Sequence, residues 1–101
     1  MRDRLKLQAI LEEKLGSSNV YFQPPASVRM KYPAIVYSRS DIDNRFADNS
    51  PYSQEKAYTV TVIDKDPDSE IVDRIASLPK CMYDRNYRVE NLNHDVFTLF
   101  Y

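Results

Sequence analysis

The stretch with the most chemical potential is "DKDPDSE", residues Asp64 to Glu70, with four acidic side chains in seven positions directly after the run "YTVTVI". Carboxylates at that density suit a divalent cation, a general acid and base pair, or the first turn of a helix. Calcium geometry tests the first option. An EF-hand loop counted from Asp64 needs glycine at its sixth position and a bidentate glutamate at its twelfth, and those positions hold Ser69 and Ile75. Helix-start chemistry fits better: Asp66 as N-cap, Pro67 as first helical residue, then Asp68, Ser69 and Glu70 in the first turn. Oxygen acceptors there cap free amides, and acidic groups offset the helix dipole.

The remaining candidates are sparse. Cys81 is the sole cysteine and His94 the sole histidine, which leaves no ligand set for zinc sites built from several of each and no intrachain disulfide. As a nucleophile and base they have no spacing to connect them, and Cys81 reads as a small core residue. Neither a glycine-rich phosphate loop nor a serine-nucleophile motif is present. The expectation is a non-enzyme without cofactor or metal.

The elements around these residues follow from periodicity. "RDRLKLQAILEEKLG" sets Leu7, Ile10, Leu11 and Leu15 at helical spacing, with Gly16 where a left-handed C-cap belongs. Val20 to Phe22 is a short extended piece interrupted by Pro24 and Pro25, whose rings remove ladder donors. "YPAIVYSRS" reads as a strand with Ala34, Val36 and Ser38 on one face and Ile35, Tyr37 and Arg39 on the other. From Ala57 to Asp64 the chain alternates, with Tyr58, Val60 and Val62 opposed to Thr59 and Thr61, as a half-buried strand does. Ile71, Val72, Ile75 and Leu78 then form the apolar face of a second helix, stopped by Pro79. "KCMYDRNYRV" and "HDVFTLFY" read as two strands joined through "ENLN", where asparagines supply the turn tolerance of glycine. In the last strand Val96, Thr98 and Phe100 face one way and Phe97, Leu99 and Tyr101 the other, so large apolar groups occupy both faces. That pattern predicts cover on both sides, and an edge or face there open to a neighbour. The fold class is therefore α+β: one small domain over residues 1–101, mainly antiparallel, with two helices packed on one face of the sheet.

Between the second and third strands, "DIDNRFADNSPYSQE" is polar and without hydrophobic period. A connection this long in a small domain is usually functional or disordered. Within it Arg45, Phe46 and Tyr52 are candidate contact residues, together with Arg39, Phe97 and Phe100 on the strands. Fourteen basic against fifteen acidic residues give a net charge of -1 with no basic block to track a phosphate backbone. No apolar run approaches the ~18 residues of a membrane helix, and "MRDRLK" is too charged to open a secretory signal. The expected site of synthesis is the cytosol.

The order of a first helix, "YPAIVYSRSD", a long polar loop, "YTVTVIDKDPDSEIVDRIASLP" and a closing hairpin ending in "HDVFTLFY" resembles the tail-completion or tail-terminator proteins of long-tailed, siphovirus-like bacteriophages. The resemblance spans nearly the whole chain and rests on core pattern and helix capping. It implies a structural role: a ring, commonly of six subunits, that caps the tail tube in the host cytoplasm, stops its growth, and joins it to the head connector in the virion neck. The implied partners are further copies of the chain, the tube protein and the connector, with DNA only passing through the lumen. A different reading is a small nucleic-acid-associated regulator, which requires Arg39, Arg45, Lys56, Arg85 and Arg88 to gather on one surface.

Overall fold

The fold is described from a computed structural model over residues 2–40 and 56–101. Helix α1 (Arg2–Leu15) is followed by strands β1 (Val20–Phe22), β2 (Ala34–Arg39) and β3 (Ala57–Asp64), helix α2 (Glu70–Ala76), and strands β4 (Cys81–Val89) and β5 (Leu92–Phe100). The five strands form one sheet in the order β1-β2-β3-β5-β4, with β1 parallel to β2 and every other pair antiparallel. The architecture is α+β, as the periodicities predict.

Leu7, Leu11 and Leu15 recur every fourth residue on α1, and all three are buried. Ile10, expected on the same stripe, is half-buried at its margin. Gly16 ends the helix at φ +85, and its amide donates to the Glu12 carbonyl at 2.8 Å. Its conformation is the left-handed one that a side chain would strain.

The core lies between the helices and one face of the sheet. A fully buried row, Tyr37–Val60–Phe97, crosses β2, β3 and β5, flanked by the rows Ile35–Val62 and Tyr58–Leu99. Leu7, Leu11, Ile71 and Ile75 close over these rows. Each such side chain contributes about 1.5–3 kcal/mol relative to exposure. The ring of Tyr37 has a polar end that also needs a partner. Its hydroxyl donates to Gln8 Oε1 at 2.5 Å and accepts from Arg4 Nη1 at 3.1 Å, tying α1 to β2. The Arg4 guanidinium also lies 4.4 Å from the centre of the Phe22 ring.

The second face of the sheet is covered in part by chain without regular structure. Gln23, at φ +43, turns the backbone away from β1 while its amide still donates to the Tyr37 carbonyl. The segment beyond runs beside that face. Pro24, Pro25, Val28 and Met30 border, with Val36, Thr61 and Ile63, an open groove of about 280 Å³. A cis peptide joins Tyr32 to Pro33 at the entry to β2.

Three expectations are corrected. Helix α2 starts after Ser69, not Asp66: Ser69 is the N-cap, and its Oγ accepts the Ile71 amide at 3.2 Å. The turn between β4 and β5 uses Glu90 and Asn91, both at positive φ (51 and 65), the signature of a two-residue type I′ hairpin. Asn93 lies within β5, where its side chain donates to the carbonyls of Asp64 and Lys65. Finally, β5 is no edge, because it lies between β3 and β4; the sheet ends at β1 and β4.

Candidate functional site

The acidic stretch resolves into nested turns. Asp64 Oδ1 accepts the Asp66 amide at 3.1 Å, and Asp66 Oδ1 accepts the Asp68 amide at 2.9 Å. Each carboxylate thus orders the chain two residues ahead, delivering Ser69 to its capping position. Asp66 and Asp68 are exposed. Among the described residues no group of three or more His, Cys, Asp or Glu side chains could hold a metal ion.

Cys81 and His94 are kept apart by the ladder. Cys81 is opposite Leu99 on the helix-covered face, and His94 is opposite Tyr87 on the other face, five positions nearer the hairpin turn. Burial pushes the Cys81 thiol up from its ordinary value, away from the thiolate that a nucleophile requires. The His94 ring stacks on Tyr87 with centroids 4.7 Å apart.

The candidate contact residues divide three ways. Arg45, Phe46 and Tyr52 lie outside the described residues. Phe97 is fully buried in the core, so its selection as a surface contact is corrected: alternation placed large groups on both faces of β5, and the helices cover the face Phe97 takes. Phe100 is on the opposite face and half-buried, and Arg39 is exposed at the end of β2. Of the basic residues of the regulator reading, Arg45 lies outside the described residues and two of the others part. Arg85 and Arg88 oppose Val96 and Asn93, three rungs apart and so of opposite parity, and point to opposite faces of the sheet.

What the residue types did not single out is the outer strand β4. Eight of its nine residues are exposed, all but Cys81. Met82 (57% exposed), Tyr83 (53%), Tyr87 (41%) and Val89 (48%) make it the largest concentration of exposed apolar side chains among the described residues. It is nonetheless well ordered by its partner strand. Tyr83 lies edge-on to Phe97, and its hydroxyl donates to Asp95 Oδ1 at 2.9 Å. Asn86 Nδ2 donates to the same oxygen at 3.0 Å. Between Tyr83 and Arg85 the register shifts by one residue, a bulge at Asp84, whose carboxylate pairs with Arg85 at 3.0 Å. The available signal was charge on both parities of "DRNYR", which marks a strand with no fully buried face. A surface of this kind, rigid, apolar in part and, among the described residues, with unpaired backbone along its rim, suits contact with another chain.

No protein-family model, no curated protein and no solved structure matches the chain. Among the described residues no helix is long and apolar enough to cross a membrane.

Proposed function

We propose that the chain is a structural subunit of bacteriophage tail assembly: copies close as a ring, of six on the family pattern, on the end of the tail tube, stop its growth and present the joining surface to the head connector. The observation that carries this reading is β4, a nine-residue outer strand with exposed apolar side chains and an open backbone rim. A ring subunit needs such a surface, because each copy presents one patch to a different patch on the next. On this reading the contact surface is β4 rather than β5. On this reading the subunit acts in the bacterial cytoplasm during assembly and then in the virion neck, without catalysis or cofactor, and meets DNA only as it passes through the lumen.

The test is direct. Purified protein is mixed with assembled tail tubes of a long-tailed bacteriophage, and tube ends are viewed by negative stain. A ring at one end of each tube and an arrest of further lengthening are expected, with both lost in Met82→Asp, a substitution at an exposed position that leaves the fold intact. Wild-type protein that forms no ring, alone at high concentration or on tubes, refutes the proposal.

A further inference from the structure

The geometry of β4 points to a specific partner for its rim in the free protein: we propose that the segment Arg85 to Val89 pairs with the same segment of a second copy, antiparallel, across a twofold axis at Tyr87. The inference rests on the strand alone and is independent of the tail reading, since a head-to-tail ring contains no such twofold contact.

Backbone direction sets the register. The two-residue turn closes on the pair Val89 and Leu92, and the closing pair of such a hairpin exchanges both of its hydrogen bonds. Alternation then turns the backbone of Val89, Tyr87 and Arg85 toward β5. Asn86 and Arg88 turn their N–H and C=O groups outward. These outward groups flank Tyr87 symmetrically, so an antiparallel second copy centred there sets Asn86 against Arg88 in both directions and satisfies all of them. The bulge at Asp84 ends this regular segment on one side and the turn ends it on the other. Centring on Asn86 instead would set Arg88 against the bulged residue, where the rim is interrupted. The opposite edge of the sheet, β1, has three residues before Gln23 leaves it and offers no comparable rim.

The side chains are complementary in the same register. On the helix-covered face, Arg88 of one copy lies beside Asn86 of the other, whose amide is bonded to the Asp95 carboxylate, so each guanidinium approaches an acid. At each end Glu90, in the turn, falls opposite the bulged Asp84 of the second copy, whose carboxylate is already paired with Arg85. On the other face Tyr87 meets Tyr87, and Val89 is covered by the stem of Arg85, which removes exposed apolar surface at both residues.

The experiment is run on the full chain without tail tubes, with Cys81→Ser so that no other thiol competes. Paired strands place the two Tyr87 Cα atoms about 4.5 Å apart, within the ~4.4–6.8 Å span of a disulfide. Under mild oxidant Tyr87→Cys is expected to give a covalent dimer, while Asn86→Cys and Arg88→Cys, each displaced from its own copy across the axis, stay predominantly unlinked. In parallel, light scattering on the wild type is expected to give the mass of two copies. Asn86→Pro, which removes an outward N–H that no other described residue uses, is expected to return it to one copy with an unchanged far-UV spectrum. The pairing is overturned if folded Tyr87→Cys does not link, if Asn86→Cys or Arg88→Cys links as readily, or if the wild type has the mass of one copy at every concentration.

Discussion

Removal of the Ser69 hydroxyl provides the sharpest test of how the acidic stretch works. Ser69 is 7% exposed, and its Oγ is the acceptor for the Ile71 amide at 3.2 Å. Loss of an N-cap acceptor costs about 0.5–2 kcal/mol. Water has little access to this site, so the orphaned amide keeps most of its desolvation cost, and Ser69→Ala should fall toward the upper part of that range, about 1.5 kcal/mol. In a domain of this size each kcal/mol lowers Tm by about 4–8 °C, so a drop of roughly 6–12 °C is expected. Helix α2 has seven residues and is too short to persist alone, so weakening it loosens Ile71 and Ile75 from the core and the loss is felt globally. Asp66→Ala is the comparison. Its carboxylate is exposed and accepts only the Asp68 amide, which water can satisfy, so its cost should stay within about 0.5 kcal/mol. Thermal and urea unfolding followed by far-UV circular dichroism measures both. A larger loss for Asp66→Ala than for Ser69→Ala would refute the assignment and return the cap to the position the sequence pattern suggests.

Three further outcomes follow from the same geometry. Phe97→Ala should cost about 3–5 kcal/mol, the range for emptying a fully buried aromatic site, whereas Phe100→Asp should leave a folded protein; urea midpoints in the reverse order would show the faces of β5 to be misassigned. Burial pushes the Tyr37 hydroxyl up from its ordinary value near 10. The folded state then holds its proton to higher pH than the unfolded state, so this contribution is complete below about pH 10 and declines as pH rises through the folded value. Tyr37→Phe should be less stable at neutral pH, having lost its bonds to Gln8 and Arg4, yet show a shallower decline in urea midpoint over this range; parallel declines would refute the assignment. Calcium and a chelator should give the same Tm, since the carboxylates of Asp64 and Asp66 accept backbone amides; a calcium-dependent rise of several degrees would overturn the capping account.

Much of the fold was legible because two periods are read from different residues. Leu7, Leu11 and Leu15 could only be one helical stripe, and the alternation of Tyr58, Val60 and Val62 against Thr59 and Thr61 could only be a strand with one buried face. Gly16 marked the end of α1 because no other residue type takes that backbone so cheaply. The start of α2 was misplaced for a physical reason. Asp66 and Ser69 each accept a backbone amide two residues on, Asp66 in a turn and Ser69 at the cap. Proline after Asp66 made the first of them look like the helix start, whereas burial of Ser69, a tertiary fact, decides which turn becomes the cap. The Glu90–Asn91 turn was missed for a similar reason. Glutamate is a poor choice at positive φ, and register from both strands imposes the conformation there.

Strand order is the part that no periodicity contains. Apolar residues on both parities of β5 state that both of its faces are covered, and that is the mark of an interior strand: the helices lie over Phe97 and Leu99, and Val96 is buried on the opposite face. The same pattern is equally consistent with a strand awaiting a neighbour, which is why Phe97 was an attractive contact in sequence and is core in the structure. β4 carries the complementary signal. Asp84, Arg85, Asn86 and Arg88 place polar or charged groups on both of its faces, which no strand buried on either face accommodates. Its exposed Met82, Tyr83, Tyr87 and Val89 are therefore unlike the apolar residues of β5: they are ordered by one partner strand and uncovered by any helix. A side chain that is held in place yet left exposed loses little further entropy on association, so area buried there returns more binding free energy than the same area on a loop. That difference, and not hydrophobicity alone, is why the proposed contacts are assigned to β4 rather than to β5.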